Sequence, residues 1–361
     1  MISYELYLLS PIGQRVAVIT QFTRLQWSKR VNRRGALNIS WAEEQYDPDW
    51  WALDRRVEVW RVEGSSARFV NAYFMRRPIK ETLENGRKLI TWWGYDANEL
   101  LFWRIVAAQA GTPEARKTGP ADDIMKEIVY EQAAGGAITA RQYPKLSVQE
   151  LSGLAPEVSR GFSRRRVLPV LQDIAADSTE EGVPLFFRIG HLENGSMQFQ
   201  TFINQPGNNR TATHSPFSLA RGTLAAPIYL EQDYSEEANS VFIGGAGEGI
   251  ARLQTQITNL FAALKSPYNR REAFVDARDT NSIQVMLSRG RTHLHENRPR
   301  TRFEANLLNT GNSRFQVDWD FGDRIVAEYD EQLFECLVAS VSGYVSEDAG
   351  EHIEARLEYV S

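Results

Sequence analysis

A glycine run, Gly244-Gly245-Ala246-Gly247-Glu248-Gly249, directly follows the apolar residues Val241 to Ile243. A dinucleotide loop needs a helix to open at such a run, so that its N-terminal amides meet the pyrophosphate. Here the residues that follow, Leu253-Gln254-Thr255-Gln256-Ile257, alternate as a strand does. The run therefore predicts a backbone turn or bulge, where glycine permits positive φ and close approach, and no cofactor is expected. Further on, Asp276 and Asp279 flank Arg278 in Phe274-Val275-Asp276-Ala277-Arg278-Asp279. Two carboxylates can serve as the acid and base of glycoside hydrolysis. An Asp276–Arg278 ion pair on one strand face, with Asp279 capping the next helix, explains the same residues without chemistry and is preferred.

His293 and His295 form a His-x-His pair, but residues two apart on a helix face different sides, so a solvated helix end is expected and no metal. His191, His214 and His352 are scattered, and no Ser or Cys sits in an elbow that would activate it, so no catalytic residue is assigned. Arg164-Arg165-Arg166 and the pair Arg289 and Arg291 lack the interleaved aromatics of a single-strand platform. Between Trp41 and Trp51, Tyr46-Asp47-Pro48-Asp49-Trp50-Trp51 has the composition to stack a sugar or a partner chain, although a loop covering a barrel is the preferred reading.

With 361 residues, 42% apolar and 24% charged, the chain has the composition of an ordinary globular protein with room for two or three domains. Its net charge of -5 argues against a general nucleic-acid binder, which needs Lys and Arg in excess. Met1-Ile2-Ser3-Tyr4-Glu5 has no basic leader region, and no stretch approaches the roughly 18 apolar residues of a membrane span. The single cysteine, Cys336, lies in an apolar run and is expected as a buried thiol. Nine Trp and thirteen Tyr supply aromatic surface for cores and interfaces.

Positioning these residues falls mainly to strands. The pattern predicts seven in the first part: Tyr4 to Leu9, Arg15 to Ile19, Arg24 to Trp27, Ala36 to Trp41, Asp54 to Val62, Phe69 to Pro78 and Lys88 to Tyr95, with Asn85-Gly86 as a hairpin turn. Such spacing indicates a barrel or sandwich. Asp96-Ala97-Asn98-Glu99 reads as a capping box for a helix ending before Gly111. Helices are also expected from Ala121 to Ala134, from about Arg166, and along Ile283, Met286, Leu287, Gly290 and Leu294, with Asp279, Thr280 or Ser282 as cap. A second hairpin pairs Pro184 to Gly190 with Met197 to Ile203 around Asn194-Gly195. The last strands are Arg302 to Leu308, Arg324 to Glu328, Phe334 to Ser342 and Glu351 to Tyr359.

Taken together, Gly244 to Gly249 and Phe274 to Asp279 make the chain resemble the tail-hub (baseplate-hub) proteins of bacteriophages, of the siphophage tail type. Supporting matches are Trp27 to Leu37 with Arg34-Gly35, the strand ending Gly94-Tyr95-Asp96 before Leu100-Leu101, and Phe321-Gly322-Asp323 before a late strand. Ala246 departs from the pattern, which has a longer polar residue there, and residues 111–160 match nothing in it. The resemblance implies a mainly β fold with α+β lobes: two β-barrel-like tube domains plus smaller α-containing lobes. The expected organisation is a tube domain over 1–110, a helical and irregular connecting lobe over 111–185, a second β-rich domain over 186–245, an α+β lobe over 246–300, and strands over 301–361 that complete a tube domain. Its implied motif residues are Gly244, Gly245, Gly247, Glu248, Gly249, Phe274, Asp276, Arg278, Asp279, Gly322 and Asp323, all structural.

The same resemblance implies a structural protein of the virion tail tip, made in the host cytoplasm, and no enzyme. It implies a ring, a homotrimer, that continues the tail tube and opens a channel for DNA at ejection. Its implied partners are itself, the distal tail protein, the tape-measure protein and tail-tip or fibre proteins, with DNA only in transit. A tail-associated cell-wall hydrolase and a receptor- or carbohydrate-binding tail component are the alternatives.

Overall fold

The computed structural model describes residues 2–107, 115–162, 164–192, 195–211, 218–219, 224–311, 313–346 and 350–360. Two compact units result. One comprises residues 1–179, 183–228 and 304–360; the other is built from 229–303 with 180–182 and 361.

The larger unit is organised by a sheet whose path runs through 304–308, 350–359, 332–346, 24–30, 36–42, 88–96, 66–82, 56–63, 2–9 and 15–19. All seven early strands and all four late ones appear where alternation predicts them, most of them longer by one to four residues at an end. Two strands exceed the rest, Ser66–Thr82 and Gln332–Ser346, and each carries a bulge. Each changes partner along its length. Residues 66–74 pair with Arg56–Glu63 and residues 73–82 with Lys88–Asp96, while 332–337 pair with Arg324–Tyr329 and 340–346 with Arg24–Arg30. Bent, partner-switching strands of this kind turn the corners of layered sheets. Gly94 stands opposite Met75 beside one bulge, where a Cβ would lie 2.2 Å from the Phe74 carbonyl oxygen.

None of the sheets closes into a barrel among the described residues, so the mainly β expectation holds while the expected barrel closure is not found. Side chains add bridges between strands that are not ladder neighbours. Arg61 donates through Nε and Nη2 to both Glu351 oxygens (2.8 and 2.9 Å), and the Tyr4 hydroxyl donates to Glu351 Oε1 (2.7 Å). Trp27, Trp41, Trp92 and Trp319 are fully buried in this unit, as is Cys336, whose thiol burial pushes up to about 12.

A second core in the same unit packs the helices Ala121–Ala133 and Val167–Glu180 against the three-stranded sheet of Leu146–Val148, Leu185–His191 and Met197–Ile203. Ile124, Met125, Ile128 and Val129 form the buried face of the first helix, as their spacing predicts. The helix expected from Asp96 is a single turn, Glu99–Phe102. Beyond it the backbone pairs elsewhere: the Val106 amide donates to Arg165 (2.8 Å) and the Val167 amide to Arg104 (2.9 Å). Asn194, Gly111 and His214 of the sequence expectations lie outside the described residues. No helix among the described residues is long and apolar enough to cross a membrane.

Gly343 faces Trp27 across the Arg24–Arg30 and Gln332–Ser346 ladder, and a Cβ there would sit 2.3 Å from the indole. Gly343→Ala is expected to lower unfolding stability by about 1–3 kcal/mol through overpacking, read as a fall in the urea midpoint at unchanged m-value. A midpoint equal to wild type contradicts this packing.

Candidate functional site

The smaller unit is a three-stranded sheet with Ser240–Gly244 at its centre, antiparallel to Gln254–Thr258 and parallel to Glu272–Asp276. Helix Ile283–Glu296 covers one face, closing a small core of Val241, Ile243, Ala277 and Met286. Gly290 permits that approach, since a Cβ would lie 2.6 Å from Ile243 Cδ1. On the other face Phe242 and Phe274 are register partners, exposed by 41% and 59%.

The glycine run is a turn between two strands, as its sequel predicts. Its amides serve the fold: Gly245 donates to Leu253 (2.8 Å) and Ala246 to Thr280 (3.0 Å), while Gly249–Ala251 forms one 3-10 turn. Each glycine has its own reason. A Cβ on Gly244 would meet the Arg252 guanidinium at 2.6 Å, on Gly245 the Met286 sulfur at 2.7 Å, and on Gly247 the Ala251 carbonyl oxygen at 2.6 Å. Gly249 has open space but φ +53°. Glu248 is exposed just before the 3-10 turn.

Arg252 joins this turn to the acidic motif. Its guanidinium donates to the carbonyls of Gly244 (3.0 Å) and Gly245 (3.1 Å) and to Asp276 Oδ1 (2.6 Å), and it lies 5.3 Å from the Phe274 ring centre. Asp276 also accepts from Arg278 Nε (2.8 Å), and Arg278, first among the causes, holds its carboxyl below the usual range. Asp279 takes a bidentate pair from Arg289 at 2.5 and 2.6 Å, which pushes its carboxyl down to about 2. The cap expected from it comes from Ser282, whose Oγ accepts from the Val285 amide (3.5 Å). Asp279 is thus a clamp on the middle of the helix rather than its cap. Both carboxylates are exposed, ionised and matched by arginine, the reverse of the raised carboxyl a general acid needs.

Gly322 and Asp323 belong to the larger unit. Gly322 has φ +82°, and Asp323, nearly inaccessible, accepts from the Asn208 amide (2.7 Å), Arg210 Nε (2.5 Å) and the Asp320 amide (2.9 Å). Asp96 is also buried, accepting from the amides of Gly35 (2.7 Å) and Asn98 (3.1 Å). Gly35 is required there, because a Cβ would fall 2.2 Å from the Ser28 carbonyl oxygen. His293 and His295 end their helix beside Asn297 and Arg298, and no group of three or more His, Cys, Asp or Glu among the described residues is placed to hold a metal.

Residues 5–357 match the siphovirus ReqiPepy6 Gp37-like protein family. The chain belongs to that family. Three solved structures share the fold of this Gp37-like chain from end to end at low identity. They are the tail protein from Neisseria meningitidis MC58 (TM-score 0.53, 12% identity, covering 99% of this chain and 96% of that one), the 43 kDa tail protein of prophage MuSo2 from Shewanella oneidensis (0.53, 11%, 98% of each), and prophage tail protein gp18 from Listeria monocytogenes EGD-e (0.50, 9%, 99% and 94%). No curated protein matches the chain by sequence. The phage-tail resemblance of the motifs thus agrees with the family and with the fold.

Sequence reasoning passed over Arg252 and met Met286 only as a helix-face residue and Arg289 only as one of a basic pair, whereas all three hold the motifs of this Gp37-like lobe together. A signal exists for Arg252, the one cation beside the glycine run. Two predictions follow from the geometry. Gly247→Ala meets both φ +102° and the Ala251 oxygen, so it is expected to destabilise the small unit by about 1–3 kcal/mol, against about 1 kcal/mol for Gly249→Ala. Amide exchange within 240–258 reads the difference, and equal effects contradict the account. Burial raises the Asp96 carboxyl from 3.8 to about 7, so the folded chain holds a proton that the unfolded chain has lost between those values. Stability from this group therefore falls as pH rises from about 4 to 7 and is level above. Asp96→Asn is expected to flatten that part of a urea-midpoint profile, and an unchanged slope contradicts the assignment.

Proposed function

We propose that the chain is a structural tail-hub or baseplate-hub protein of a phage tail tip and not an enzyme. Three copies form a ring that continues the tail tube and meets the distal tail protein, the tape-measure protein and tail-tip or fibre proteins. DNA crosses its lumen at ejection. The protein is made in the host cytoplasm and resides in the virion. The barrel-like tube expected from the motifs belongs to this assembled state, completed between chains rather than within one. The expected division at 110, 185, 245 and 300 and the structural role of the eleven motif residues are part of the same reading.

The observation that carries it is the end-to-end overlap with phage tail proteins, 98% of both chains in the MuSo2 case. The site chemistry leans the same way, because Asp276 and Asp279 serve as fasteners. The Trp50 and Trp51 loop supports a covering role over sugar stacking, since Tyr46, Trp50 and Trp51 pack on Trp41 and Trp92 with ring centres 5.1 to 6.0 Å apart.

Light scattering on the purified chain tests the ring. The expected mass at high concentration is three times the 41.1 kDa of one chain. A mass of 41.1 kDa at every concentration contradicts a self-assembling ring.

A further inference from the structure

Strand Arg24–Arg30 turns Leu25 and Trp27 inward, and Lys29 is next on that face. It opens into a cavity of about 250 Å³ within the larger unit, lined also by Arg30, Asp96, Arg188, His191 and Phe321. Lys29 Nζ lies 4.8 Å from the Phe321 ring centre and has no hydrogen bond or ion pair among the described residues. Arg188 stands over Phe202 at 4.8 Å, donates to Gln200 Oε1 at 3.3 Å, and makes no salt bridge among the described residues.

Three acids stand nearby, each already accepting a hydrogen bond at one oxygen or more. Asp96 gives its oxygens to the Gly35 and Asn98 amides, Asp323 binds Arg210 and two amides, and Asp320 Oδ1 accepts from the Phe321 amide (2.6 Å). They temper the field without reaching either cation. Burial lowers Lys29 and Arg188 below their usual values; the Asp320 carboxylate opposes this at both, and Arg188 adds to the lowering at Lys29. Two half-buried cations with no salt bridge among the described residues repel each other, and an anion between them turns repulsion into charge-assisted hydrogen bonding.

His191 supplies the remaining specificity. The backbone of Ala72 bonds its ring, Nε2 is buried without a partner, and burial keeps the imidazole neutral, with its pKa near 3. A neutral imidazole that donates at one nitrogen accepts at the other. The cavity thus offers strong donors and one buried acceptor.

We propose that this cavity binds a hydrogen phosphate group, its bare oxygens held by Lys29 and Arg188 and its P–O–H donating to His191 Nε2. Arg30, exposed at the rim, draws the anion in. Sulfate has the same size and no hydroxyl at neutral pH, so it lacks the bond to His191. A cavity of this volume suits such a group better than a whole nucleotide.

Isothermal titration of the full chain with inorganic phosphate in chloride buffer of constant ionic strength tests the site. Saturable binding is expected, at least tenfold tighter than sulfate. Lys29→Met and Arg188→Met, apolar replacements that keep the stem, are expected to weaken phosphate at least tenfold each while the chain stays folded by circular dichroism. His191→Phe is expected to bring phosphate and sulfate within twofold of each other. Equal heats for phosphate and chloride overturn the proposal, as does a Lys29→Met chain that keeps its phosphate affinity. Displacement of phosphate by a short Glu-rich peptide also overturns it, and points to a partner's carboxylate instead.

Discussion

One strand pairing holds the larger unit together. Ser340 to Ser346, near the end of the chain, form an antiparallel ladder with Arg24 to Arg30, near its start. Without it the sheet falls into an N-terminal meander and a C-terminal one, each with an open edge. More than 300 residues of intervening chain must be ordered for this ladder to form, so its loop-closure cost is recovered only by dense packing at the seam. The packing is dense: Trp27 lies on Gly343 from one side and against Phe315 at 5.7 Å from the other, with Trp319 behind Phe315 at 5.3 Å. Chain order, aromatic volume and a single glycine all serve the same junction.

Charge then fastens what the sheets bring together, and magnitude separates the fasteners into two kinds. Arg61 and Glu351 are both nearly inaccessible, so removing either partner leaves a buried charge, at a cost of about 3–5 kcal/mol. Arg289 and Asp279 are solvent-exposed, and such pairs contribute little to stability. Their value lies in orientation. A bidentate arginine sets the direction of helix Ile283–Glu296, and Arg252 ties two separated motifs through three hydrogen-bond acceptors. The small unit, with only four fully buried apolar side chains at its centre, relies on such directional contacts more than the large unit does.

Strands were legible in the sequence because alternation at period two is a local signal, and all eleven terminal strands appear where it places them. The glycine turn was legible for a different reason: the residues after it alternate. Asp96 was read as a helix cap, and only the fold reveals that Gly35, sixty-one positions earlier, takes its carboxylate. Asp122 sits in the first turn of helix Ala121–Ala133, and only the fold shows it buried against Lys126 (3.1 Å) and the Ala155 amide (3.0 Å). Lys29 carried a signal that pattern reading passes over, a cation at the inward position two residues after a buried Trp27. Pairings across distant sequence, such as Arg61 with Glu351, leave no local trace.

The small unit exposes Phe242, Phe261 and Phe274, an apolar surface of the sort that assembly covers. The most direct measurement of this account is an electron cryomicroscopy reconstruction of tails from particles that encode the chain. It predicts a ring of three copies at the tail tip, coaxial with the tube and open to DNA. Complete tails that contain no copy of the chain would contradict it.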